Sequence, residues 1–162
     1  KKSRMSPFLV TALLASSVLL ADGANIAARA GCPSGWFSYK RVCYGYFTEK
    51  MSFYSAETEC QRFGHGVHLA SIMTNAEASI ITARLRERGA SSSVWIGLND
   101  PEKNGKWEWI DGSMVKFRNW YSYQPDNYLA SEYCGELYFS DLQRWNDRNC
   151  EGEQPFLCKY QP

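Results

Sequence analysis

Gln124-Pro125-Asp126-Asn127-Tyr128-Leu129-Ala130-Ser131-Glu132-Tyr133-Cys134 and, beyond a short intervening run, Trp145-Asn146-Asp147-Arg148-Asn149-Cys150 are the two halves of the stretch that decides how this chain is read. Five of its oxygen-bearing side chains form the set that matters: Gln124, Asp126, Glu132, Asn146 and Asp147. That is the donor set of a hard cation, since calcium takes about 6 to 8 oxygen ligands from carboxylates, amides and backbone carbonyls. Three carboxylates supply the charge, and the positions left over can be filled by hydroxyls of a neutral ligand. A Gln-Pro-Asp turn also presents both side-chain oxygens to one side when its X-Pro bond is cis, an isomer effectively closed to other residue pairs.

Working outward, the same order of signals continues: Cys32-Pro33-Ser34-Gly35-Trp36, a helix carrying Cys60, His68-Leu69-Ala70-Ser71, Trp95-Ile96-Gly97-Leu98 and a closing Phe156-Leu157-Cys158. This ordered set resembles C-type lectin domains and covers residues 32–160. The start and end of that span are similar to those of small secreted members, the regenerating islet-derived (Reg) proteins and venom galactose-binding lectins. The resemblance implies an α+β fold with two helices, two small antiparallel sheets, a long calcium-binding loop and three disulfides. It implies a calcium site made by Gln124, Asp126, Glu132, Asn146 and Asp147, with the same residues holding a sugar. It also implies disulfides Cys32 with Cys43, Cys60 with Cys158, and Cys134 with Cys150.

In this family the order Gln-Pro-Asp goes with galactose and Glu-Pro-Asn with mannose. The physical sense is that a carboxylate accepts and an amide nitrogen donates, so their order around the ion selects a hydroxyl geometry. Galactose binders of the family also pack an aromatic ring on the apolar face of the sugar, and Tyr128 stands at the matching place. Some members hold a second calcium; here its ligands would be Asp100, Asn104, Asn127 and Glu132. Tyr133 occupies the position of a further acid, so that set is incomplete.

The opening residues have the anatomy of a secretory leader, with Lys1, Lys2 and Arg4 followed by the mostly apolar run 8–20. That run falls short of the roughly 20 apolar residues of a membrane span. Residues 1–23 are read as the signal peptide, with a second cleavage position after Ala30, and residues 24–31 as a short N-terminal segment. The chain is thus expected to be secreted and extracellular, with Ca2+ as its cofactor and galactose-terminated glycans as partners. The whole chain has a formal net charge of +1, but residues 1–30 contribute +3 through Lys1, Lys2, Arg4, Arg29 and Asp22, which leaves −2 for the remainder. No basic stripe remains for nucleic acid. All six cysteines lie beyond residue 30, an even number that reads as disulfides in a secreted domain. With no cysteine left over, a monomer or a non-covalent oligomer is expected. A zinc cluster is excluded by the lack of any Cys-x-x-Cys pair.

Taken in order, residues 32–47 read as an aromatic hairpin. A first helix is expected with Ser52 as its cap, with Phe53, Ala56, Cys60 and Phe63 on one face, and with Gly64 at its end. Thr74-Asn75-Ala76-Glu77 is a capping box opening a second helix to about Arg88, whose polar face of Glu77, Arg84, Glu87 and Arg88 reads as solvated. His68 reads as structural, and His65 as a loop residue. Strands are expected over 94–98, 107–110, 136–139 and 155–160, with the tryptophans in the core. Residues 111–134 have little regular pattern, and a loop of that length in a compact domain is usually functional.

Two other function classes make different demands on the same residues. A hydrolase would need one carboxyl protonated and another ionised, whereas carboxylates gathered on calcium are all ionised and occupied. The second class is an interaction protein that uses a calcium-ordered loop to hold a protein or another non-sugar target.

Overall fold

The computed structural model describes residues 31–162; the signal and cleavage readings lie outside the described residues. Eight strands and two helices are built from them. Strand β1 (Phe37–Tyr39) turns into the long β2 (Val42–Met51), followed by α1 (Phe53–Gln61), β3 (His68–Leu69) and α2 (Asn75–Glu87). Then come β4 (Val94–Asn99), β5 (Glu108–Trp109), β6 (Cys134–Leu137), β7 (Trp145–Arg148) and β8 (Gln154–Tyr160).

The strands form two antiparallel sets. In one, β8 lies between β2 and β3, with Cys43 opposite Tyr160 and Phe47 opposite Phe156. In the other, β4 is flanked by β5 and β6, and β6 pairs with β7. The two sets join where β4 and β8 run parallel, at Trp95 and Phe156, so the order along the sheet is β1-β2-β8-β4-β6-β7. The expected pair of small antiparallel sheets is thus one mixed sheet with a single parallel seam. The closing strand, β8, lies against β2 near the start of the described residues, so early and late segments of the domain are paired. Where β4 passes β3 the chain has Gly97, because a β-carbon there would lie 2.5 Å from the Leu69 carbonyl oxygen.

Two apolar clusters flank the seam. One gathers Tyr44, Ile81, Leu85, Ile96, Leu98, Trp109 and Trp145; the other gathers Phe53, Ala56, Cys60, Leu69, Trp95 and Phe156. The bridges Cys32–Cys43, Cys60–Cys158 and Cys134–Cys150 tie the hairpin, α1 to β8, and β6 to the turn after β7.

Several local expectations need correction. Ser52 precedes α1 but its side chain caps no helical N–H; its hydroxyl donates to Ser55 Oγ instead. Phe63 lies beyond the end of α1 and is 48% exposed, stacked with Phe47 and edge-on to Trp36, because Arg62 and Phe63 leave the helix in a tight turn. Thr74 does accept the Glu77 N–H at 3.1 Å, but the Glu77 carboxylate turns to the Met73 N–H at 2.7 Å. Nor is Glu77 solvated: it is 5% exposed, accepting from the Tyr44 hydroxyl and from Lys159 Nζ at 3.1 Å. His68 is structural as read, its Nδ1 lying 2.6 Å from the buried Glu57 carboxylate. Strand β7 had no period-2 signal of its own, since its alternation is spent on Trp145 and Asp147 inside and on Asn146 and Arg148 toward the surface.

Candidate functional site: a carboxylate cluster on the long loop

Strand β7 carries Asn146 and Asp147 to the edge of the sheet, and the long loop is fastened beside it. Tyr121 N donates to the Trp145 carbonyl at 2.7 Å, and Trp145 N donates to the Asn119 carbonyl at 2.8 Å. Around Trp145 the rings of Trp109, Phe117 and Trp120 meet edge-to-face, with centroids 5.4 to 5.8 Å away. Such contacts stabilise beyond the area they bury, so the base of the loop has a core of its own. The tryptophans are core here, as expected.

Above this base the chain turns at Gln124 and Pro125, whose peptide bond is cis. Gln124 Oε1 accepts the Asp126 N–H at 3.1 Å, and Gln124 Nε2 donates to Asp126 Oδ2 at 3.2 Å. Asp147 is fully buried, and its two oxygens accept the backbone N–H groups of Asp126 (3.1 Å) and Asn127 (2.7 Å). The Tyr128 N–H is shared between Asp126 Oδ1 (3.1 Å) and Glu132 Oε2 (3.2 Å). Asn127, Leu129 and Ala130 all have positive φ, at 46°, 54° and 52°. That conformation is unfavourable for residues with a β-carbon, and here the carboxylate–amide bonds hold it in place.

The outcome is that Asp126, Glu132 and Asp147 each bring a carboxylate oxygen within 4.8 Å of the others. Burial pushes the Asp147 carboxyl above the usual carboxylate range, with a further contribution from the charge of Asp126. Burial also raises Glu132, joined by the charges of Asp147 and Asp126. Three acids held together, with the charge of Asp126 raising Asp147 and the charges of both raising Glu132, are a set that a multivalent cation would relieve. The donor set, all oxygen and mostly anionic, fits calcium.

Gln124, Asp126, Glu132 and Asp147 are therefore brought together, and Asn146 adjoins them on β7. Asn146 Nδ2 donates to the Asp147 carbonyl at 2.6 Å and to Glu136 Oε1 at 3.1 Å. Tyr128 opens a short 3-10 turn (Tyr128–Ala130) and is 64% exposed, with its backbone inside the cluster and its ring in solvent. Asp100 stands apart in the turn after β4, where its oxygens accept from Asn104 N (3.2 Å) and Gly105 N (2.7 Å). Asn104 Oδ1 accepts from Lys106 N at 3.0 Å, and Asn127 Oδ1 from Glu132 N at 3.0 Å. One residue beside the cluster was missed from the sequence: Glu136, in the middle of a buried strand. A carboxylate at a position where β6 is otherwise apolar or small was the available signal.

With fold and site described, comparison with known proteins gives a consistent answer. The family model of the Lectin C-type domain matches residues 49–160. Regenerating islet-derived protein 4 of Rattus norvegicus is 44% identical over 135 residues, covering 83% of this chain and 84% of that protein. A C-type lectin galactose-binding isoform of Hoplocephalus stephensii is 36% identical over 157 residues, covering 96% of this chain and 98% of the other. Among solved structures, human lithostathine superposes with a TM-score of 0.78 at 32% identity, covering 93% of this chain and all of that one. The chain belongs to the C-type lectin domain family. Among the described residues, no helix is long and apolar enough to cross a membrane.

Proposed function

We propose that this chain is a secreted, calcium-dependent lectin for galactose-terminated glycans, binding without catalysis, with residues 1–23 as its leader and 32–160 as its binding domain. The observation that carries the reading is the convergence within 4.8 Å of Asp126 and Glu132, on the long loop, with the fully buried Asp147 of β7. Gln124, Asp126, Glu132, Asn146 and Asp147 would hold calcium, which when bound supplies open coordination positions for a pair of sugar hydroxyls. Gln124 and Asp126 would set which pair fits, by the order of amide and acid. Tyr128 has a free ring face beside them for the apolar side of galactose. The galactose-binding name of the Hoplocephalus relative supports the same preference. A second calcium at Asp100, Asn104 and Asn127 forms no part of the proposal, since Tyr133 stands where a further acid would be needed.

The test is retention of the refolded residues 31–162 on immobilised galactose and mannose, in calcium and in chelator. Retention on galactose alone, lost in chelator, is the expected result. Changing Gln124→Glu together with Asp126→Asn is expected to shift preference toward mannose by tenfold or more. Retention on galactose that persists in chelator would sink the reading. Calcium binding with no sugar retained would assign the loop to a protein or other non-sugar target.

A further inference from the structure

Glu136 is 1% exposed, and β6 places it directly opposite Asn146 in β7. Its carboxylate is surrounded by donors: Ser93 Oγ at 2.9 Å and Asn146 Nδ2 at 3.1 Å on Oε1, with Gln154 Nε2 on Oε2 and Arg148 Nε at 3.9 Å. Removing a carboxylate from water is costly even when it is well bonded, and an apolar side chain of similar size often serves a fold as well or better. Of the residues that bond this acid, Ser93, Gln154 and Asn146, only Asn146 belongs to the proposed site.

An asparagine amide can face either way, and only its oxygen can bind a cation. The Asn146 amide has two protein neighbours within hydrogen-bond reach, Glu136 Oε1 and the Asp147 carbonyl oxygen, and both are acceptors only. The group between them must therefore be the NH2. The amide oxygen is turned away and receives no hydrogen bond from the described residues. We infer that Glu136 is a positioning residue that fixes the Asn146 amide with its oxygen free for the cation. The inference rests on the calcium site proposed above, and it adds a residue that touches neither ion nor sugar.

Outer partners of metal ligands are commonly worth about 10- to 100-fold in affinity, so Glu136→Leu should weaken calcium binding, read by titration calorimetry, at least tenfold. An Asp at 146 has two equivalent oxygens and needs no orienting partner, while Glu136 beside it would be a like charge. Glu136→Leu combined with Asn146→Asp should therefore bind calcium more tightly than either single variant. A merely structural glutamate would leave the calcium affinity of Glu136→Leu at the wild-type value. Wild-type affinity in Glu136→Leu, or no recovery in the double variant, overturns the inference. Should Glu136→Leu fail to fold, the decision passes to the wild-type protein, where the Asn146 side-chain NH2 protons in chelator should exchange slowly by NMR; solvent-like exchange would overturn it. Wild-type protein that binds no calcium would overturn the underlying site and this role with it. Loss confined to Glu136→Leu would touch neither the sugar preference nor the cluster.

Discussion

Asp147 is the residue on which the cluster turns. It is fully buried, accepts two backbone N–H groups, and still has its carboxyl pushed upward by burial and by Asp126. With Glu132 raised for the same first reason, both groups bind protons more readily folded than unfolded. Their contribution to stability in chelator is then present below the ordinary carboxylate pKa near 4 and lost as pH rises through the higher folded values. Calcium reverses the sense, because protons compete for its ligands. Thermal melts from pH 4 to 7 should show the calcium-induced rise in Tm shrinking to nothing on the acid side. Asp147→Asn in chelator should give up less stability than wild type between pH 4 and 7, because the neutral amide does not ionise. An unchanged pH slope in that variant would show that the cluster is not the source. The residue types were legible in sequence; the burial that sets their proton affinity was not.

At the scale of elements, α2 is held to the sheet by Glu77, whose acceptors serve Tyr44 on β2, Lys159 on β8 and the Met73 N–H. Burial pushes the Tyr44 phenol far above its ordinary value, so it stays a donor throughout. Breaking a buried, charge-assisted set by removing one partner costs about 3 to 5 kcal/mol. Glu77→Ala should lower the unfolding free energy by that amount, seen as a lower urea midpoint with an unchanged m-value, and a loss under about 1 kcal/mol would mean water replaces the carboxylate. The capping box in the sequence located the start of α2, because Thr74 acts locally. The destination of the Glu77 side chain is a contact with strands far away in sequence, and helical periodicity carries no information about it. The same holds for β7, whose residues are a strand only because β6 lies beside them.

At the scale of the whole molecule, the seam between β4 and β8 and the clamp of β2 on β8 are independent of the loop that bears the cluster. Cys60–Cys158 closes a span of 98 residues, enough for about 4 to 5 kcal/mol by the loop-entropy estimate. Calcium removal should therefore act locally. Hydrogen exchange in chelator should speed up at the Asp126, Asn127 and Tyr128 N–H groups, which lean on the site carboxylates. Amides of β2, β4 and β8 should be unaffected. Acceleration throughout the sheet would mean instead that the ion holds the fold together.

The sequence by itself determined the class of fold and supplied the oxygen-bearing residues proposed as the donor set, because each is encoded in short ordered patterns: cysteine positions, a Gln-Pro-Asp turn, a Trp-Asn-Asp triplet. Only the tertiary structure decided that the two antiparallel sets share one sheet, that Glu77 is an interior anchor, and that Glu136 faces Asn146. Those are pairings between residues distant in the chain, and their energies come from burial and from donors on other elements, which no local spacing records.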